Sequence, residues 1–201
     1  MVNTAQVAEL DSYKDSLETI LGKNSFQSAV QKEAANNNPI DTMHSENGDL
    51  INARLVHSGS VGIIRPMNSL EAQLLNYQLA RYPLLSHPTE FHGFILLHDS
   101  LNLIRVYFAA SDQPWPPKPT VILESIKNDL KLGWNLKYHM HNHYEPKTNS
   151  YVGILAPSMA DAQFFAFLSE DFSLGNALIT NGFYTVEINR NEFSKFKAHH
   201  N

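Results

Sequence analysis

Tyr138-His139-Met140-His141-Asn142-His143 sets three histidines at alternate positions, and Ser158-Met159-Ala160-Asp161 follows one loop later. Alternate residues of a β-strand share a face, so a strand through this stretch points its histidine rings the same way. Trp134, Leu136, Tyr138 and Met140 would then occupy one face, and Asn135, Lys137, His139 and His141 the other, polar and functional one. A zinc ion accepts imidazole nitrogens and a carboxylate, and a catalytic zinc keeps three protein ligands plus an open position. Two of the three histidines with Asp161 supply that set. Ser158-x-x-Asp161 ahead of an apolar run is also the pattern of a helix capping box, so the same residues predict the start of a helix.

Around this stretch the composition is that of a globular domain. The 201 residues are 43% hydrophobic, which suits one domain with an extension. A net charge of -5 with scattered Lys and Arg leaves no electrostatic footprint for nucleic acid. No apolar run is long enough to span a bilayer, and Met1-Val2-Asn3-Thr4 opens no basic-then-apolar leader, so the expectation is a protein with no membrane partner, no visible signal peptide and a cytoplasmic location. The chain has no cysteine, which removes disulfides, thiolate nucleophiles and cysteine-bound zinc; a metal here must use His, Asp or Glu.

Residues 4–21 place Leu10, Tyr13, Leu17 and Leu21 at helical spacing, and Gly22-Lys23-Asn24-Ser25 breaks the pattern. A second short helix from Phe26 to Ala35 and a linker at Asn36-Asn37-Asn38-Pro39 complete an extension, residues 1–45. Leu50 to Val56 and Val61 to Arg65 predict a β-hairpin around His57-Ser58-Gly59-Ser60. Asn68 or Ser69 caps a helix bearing Leu70, Leu74, Leu75, Leu79 and Tyr82, ended by Pro83 and Pro88. Phe91–Leu97 and Leu103–Ala109 predict strands joined by a turn at His98-Asp99-Ser100; after the Pro114–Pro119 loop, Thr120 caps a helix to Leu132 that Gly133 closes. The histidine strand follows, then a loop from Tyr144 to Ile154, a helix from Ser158 to about Leu168, and final strands around Asn181-Gly182. The fold class is α/β (α+β), a mixed sheet flanked by helices, with the main domain over 46–195 and a tail over 196–201.

In this order the segment from about Ser69 to Ile188 resembles the JAMM/MPN metalloprotease domain. The matching pieces are Glu90-Phe91-His92-Gly93 opening a strand, the helix Val121 to Leu132, Gly133-Trp134 ahead of Tyr138-His139-Met140-His141, then Ser158-Met159-Ala160-Asp161, and the closing pair Ala177-Leu178-Ile179-Thr180 and Val186-Glu187-Ile188. The family usually has proline after its second histidine, whereas Asn142 follows His141 and Tyr144 follows His143, and the loop before Ser158 is longer than usual, an insertion over Tyr144 to Val152. The resemblance implies zinc held by His139, His141 and Asp161, with His143 replacing His139 if the pair is shifted by two; His141 belongs to either pair. It implies Glu90 as general base, Ser158 as a hydrogen-bond donor to the oxyanion, and hydrolysis of a peptide or isopeptide bond in a peptide or protein substrate, ubiquitin-like conjugates among them.

Two other readings compete. Gly133-x5-His139-x-His141-x3-Glu145 also resembles the first cupin motif, but no second motif follows and the flanking segments read as helices where a barrel needs strands. An inactive MPN-type scaffold would keep the fold and bind partners, although such members lose ligands and every ligand type is present here. His141-Asn142-His143 does not make an HNH nuclease, whose motif residues are dispersed through a ββα unit.

Overall fold

The structure, a computed structural model, describes residues 7–21, 48–84, 86–87, 89–143 and 155–199. The expected helix from Phe26 to Ala35, its linker, the insertion over Tyr144 to Val152 and Glu145 lie outside them.

Six strands form one mixed sheet: β1 (Ile63–Pro66), β2 (Phe91–His98), β3 (Leu103–Ala110), β4 (Asn135–Asn142), β5 (Asn176–Thr180) and β6 (Tyr184–Asn189), ordered β1-β6-β5-β4-β2-β3. The β4–β5 pair is parallel and all others are antiparallel. Helix α5 (Met159–Phe172) connects β4 to β5, as a parallel pair requires a long crossover. The sheet is open, with β1 and β3 at its edges, so the described strands form no cupin barrel.

Helices cover both faces. On one side α2 (Gly48–His57), α4 (Thr120–Lys131) and α5 bury Ala53, Val56, Ile126, Phe165 and Leu168 against Phe94, Leu96, Leu136 and Ile179. On the other, α1 (Ala8–Leu21) and α3 (Ser69–Arg81) bury Leu10, Tyr13, Leu17 and Leu75 against Phe91, Met140 and Leu178. The extension's first helix is thus part of the core, tied further by Leu10 N donating to Asn76 Oδ1 at 2.9 Å. At the other terminus Phe196 is buried and the Lys197 backbone is held by the Asn52 carboxamide, so packing continues into residues 196–199. Leu17→Ala removes a side chain only 1% exposed and is expected to cost about 2–5 kcal/mol by urea denaturation. A change under about 0.5 kcal/mol, the surface range, would show that α1 is not docked in solution.

Several sequence expectations are met. Asn68 caps α3 in a capping box with Glu71, Gly133 follows α4 with φ of 89°, and Asn181-Gly182 joins β5 to β6. The His98-Asp99-Ser100 turn is a 3-10 turn over Asp99–Leu101, closed by Asn102 in the left-handed region.

Three expectations need correction. The hairpin over Leu50 to Arg65 is not formed: Gly48–His57 is helix α2 and only Ile63–Pro66 is a strand. Leu, Ile and Val suit either state, and what decides is that Asn52, Ala53 and Val56 meet the core at helical spacing, with Asn52 bonded to the Lys197 backbone at 2.7 and 2.8 Å. Thr120 does not cap α4 but begins it, with Pro119 in the cap position and no side-chain cap bond. Finally, the single apolar face of the histidine strand is broken. Gly93, Phe94 and Ile95 pair with Met140, His139 and Tyr138, but Leu96 pairs with Leu136, leaving Lys137 as a bulge. One extra residue reverses the alternation, so Leu136 faces α4 and α5 while Tyr138 and Met140 face α1 and α3. His139 and His141 therefore share a face with Leu136 and not with the exposed Asn135 and Lys137.

Candidate metal centre

The bulge turns His139 and His141 into the layer between the sheet and α5, where they are only 1% and 2% exposed. His143, just beyond the strand, is held beside β5 by its backbone N–H donating to Thr180 O at 2.9 Å. Helix α5 begins at the same end of β4. Its capping box forms as the sequence predicts: Ser158 N and Oγ donate to Asp161 Oδ2 at 2.9 and 2.7 Å, and Asp161 N donates back to Ser158 Oγ at 3.1 Å. Met159 N donates to Asp49 Oδ1 at 2.7 Å, which fastens this end of α5 to α2.

These anchors bring His141, His143 and Asp161 together, with one donor atom from each within 4.8 Å of the others. His141 Nε2 lies 3.1 Å from His143 Nε2 and 3.4 Å from Asp161 Oδ1, and His143 Nε2 lies 3.3 Å from Asp161 Oδ2. An ion with bonds of about 2.0–2.1 Å holds neighbouring tetrahedral donors roughly 3.3–3.4 Å apart. The two histidine–carboxylate distances are close to that spacing but end on different Asp161 oxygens, and the histidine–histidine edge is slightly short. The donor set suits zinc and other borderline divalent ions that accept imidazole with a carboxylate.

His139 is placed differently. Its Nε2 is 2.8 Å from His92 Nδ1 on β2, and its Nδ1 is buried without a hydrogen-bond partner among the described residues, as is His141 Nδ1. Phe164 and Phe165 of α5 pack on the His139 ring. The structure therefore assembles the pair shifted by two, with His139 one step deeper in the core. Glu90, half-buried, directly precedes β2, whose pairing with β4 runs only as far as Gly93 opposite Met140, and His92 packs on Phe164 on the α5 side of the sheet. The site thus combines His141, His143, Ser158 and Asp161, while Glu90 is brought to the same end of the sheet by Asn142, which bonds Thr89 O and Phe91 N on either side of it. The role of His92 was not read from the sequence, although its alternation with Phe94 in β2 carried the signal.

The electrostatics follow from burial. Desolvation alone would raise the Asp161 carboxyl, but His141 and then His143 outweigh it and hold the group well below the usual carboxylate range. Burial, reinforced by His141, lowers His92 to about 3, and burial with His92 and His141 nearby holds His139 well below its ordinary 6.5. Both of these histidines are neutral in the folded chain and share one hydrogen bond.

A histidine with a lowered folded pKa takes up its proton on unfolding. Its stability contribution is full above the unfolded value near 6.5 and falls as the pH drops towards the folded value, about 3 for His92. Metal-free protein is expected to lose about 1.4 kcal/mol per pH unit for each such histidine well inside that window. His92→Gln should make the pH dependence of urea stability shallower. An unchanged slope would mean that His92 is not buried neutral.

Ser158→Ala removes both the helix cap and the hydroxyl on Asp161. It is expected to cost about 1 kcal/mol of stability and, where zinc binds, about 10–100-fold in affinity by chelator competition. Unchanged affinity would show that Asp161 needs no orientation from Ser158.

Among the described residues no helix is long and apolar enough to cross a membrane. No protein-family model, curated protein or solved structure matches the chain.

Proposed function

We propose that this chain is a zinc-dependent metallohydrolase of the JAMM/MPN type that cleaves a peptide or isopeptide bond, with His141, His143 and Asp161 holding the metal. The observation that carries the reading is the convergence of two imidazoles from the end of β4 and one carboxylate from the first turn of α5, with one donor atom of each within 4.8 Å of the others. Its support lies in motif order as well as geometry. Glu90-x-x-Gly93, His141-x-His143 and Ser158-x-x-Asp161 are distant in the chain, yet their residues gather at one end of the sheet.

Zinc held by His141, His143 and Asp161 would supply Lewis acidity, polarising a substrate carbonyl and lowering the pKa of a bound water. Glu90, immediately before β2, would take the proton as the water attacks and return it to the leaving amine. Ser158 orients the Asp161 carboxylate by donating to Oδ2, and the oxyanion-donor role implied for it by resemblance requires its hydroxyl to turn away from that bond. His139 and His92 form a neutral, apolar-walled backing that keeps water away from the inner side of His141.

Zinc content of tag-free protein, measured by elemental analysis after zinc is supplied and excess removed, tests the reading together with hydrolysis of a panel of peptides and ubiquitin-like conjugates. About one zinc per chain with cleavage of a panel member is expected for a catalytic site of this kind. Protein that retains no zinc would sink the metalloenzyme reading and favour an MPN-type scaffold.

A further inference from the structure

Antiparallel pairing between β2 and β4 runs from Leu97 opposite Asn135 to Gly93 opposite Met140, whereas β4 continues beside β5 to Asn142 opposite Thr180. Beyond Gly93 a side chain replaces the backbone ladder. Asn142 Oδ1 accepts from Phe91 N at 3.1 Å and Asn142 Nδ2 donates to Thr89 O at 3.0 Å, with Asn142 only 1% exposed. These two backbone groups lie on either side of Glu90, so one carboxamide grips the chain both before and after that residue. Thr89 is in turn held from α3, where Gln78 Nε2 donates to Thr89 Oγ1 at 2.7 Å, and both residues are fully buried.

The clamp acts from behind. Phe91 and Met140 face α1 and α3, so by alternation Asn142 projects to that side, while Glu90 and His143 project to the side of α5. Asn142 therefore has no need to touch metal or substrate. Its position between the two candidate histidine ligands makes β4 carry the ligands on one face and the support for Glu90 on the other. A carboxamide is suited to this task because it offers one donor and one acceptor side by side. A residue held by two bonds to a buried amide is fixed to the tolerance that proton transfer to a neighbouring water demands.

We propose that Asn142 is a positioning residue for Glu90: it couples the general base to the metal-binding strand through the backbone of Thr89 and Phe91, and α3 braces the clamp through Gln78. This inference rests on the metallohydrolase reading, because it gives Glu90 its purpose.

The test follows the Glu90 side-chain carboxyl by 13C NMR, its signal identified by its loss in Glu90→Gln, as zinc is added to the full chain. In wild type, zinc is expected to displace the Glu90 signal because a general base for metal-bound water must lie beside the ion. Asn142→Ala should retain zinc and lose most of that displacement. Asn142→Asp, close to isosteric, still accepts from Phe91 N but places an oxygen against Thr89 O, and should lose part of it while keeping the fold should the alanine variant fail to do so. Undiminished displacement in a folded, zinc-loaded Asn142 variant would overturn the inference, and so would a wild-type Glu90 signal indifferent to bound zinc. Either result leaves the metal site standing. Wild-type protein that binds no zinc would instead remove the metallohydrolase reading and the inference with it.

Discussion

His141→Ala and Asp161→Ala are each expected to reduce zinc content from about one per chain to a trace, with His143→Ala behaving alike, because a catalytic set has three protein ligands and none to spare. The informative comparison is His143→Ala against His139→Ala. His139 lies in β4 and His143 just past its end, but His143 Nε2 lies 3.1 Å from His141 Nε2 and 3.3 Å from Asp161, whereas His139 Nε2 is engaged with His92 at 2.8 Å. His139→Ala should therefore retain zinc while losing stability, since it empties a buried site packed by Phe164 and Phe165. Zinc kept by His143→Ala and lost by His139→Ala would replace the shifted pair with His139 and His141. Asp161, held well below the usual carboxylate range by His141 and His143, supplies an ionised ligand over the whole working pH range.

Glu90→Gln is expected to lower the rate of peptide or isopeptide hydrolysis by about 10²–10⁴-fold, the range of a positioned general acid–base, with zinc content unchanged. The substitution keeps the size of the side chain and removes its basicity. Glu90 precedes β2, with its flanking backbone bonded to Asn142, and lies outside the trio of converging donors, so metal retention separates a base from a ligand. Loss of zinc in Glu90→Gln would make the glutamate a ligand, and full activity would require the base to be found elsewhere.

The motif positions were legible because they depend on local rules. The alternation of His139, His141 and His143 follows from strand geometry, and Ser158-x-x-Asp161 makes a capping box wherever a helix begins there. Helix α1 was equally readable from Leu10, Tyr13 and Leu17, but its docking was not, because the partner surface comes from Leu75, Phe91, Met140 and Leu178, residues far along the chain. Asn142 looked like a departure from a pattern. Its bonds to Thr89 and Phe91 exist only because β2 and β4 are neighbours that part beyond Gly93.

By itself the sequence determined the order of helices and strands over most of the chain, the metal-ligand chemistry open to a protein without cysteine, and the residues among which a site must be found. These depend on side-chain type and short-range periodicity, which the chain carries wherever it lies. Tertiary structure alone decided that Leu50 to Val56 is helical and which pair of histidines meets Asp161. The first follows from what Asn52, Ala53 and Val56 pack against. The second follows from the Lys137 bulge, which sets the β4 face, and from the landing of α5 beside His141 and His143, with His139 left to His92. Register and docking arise from contacts between distant segments, and no local pattern encodes them.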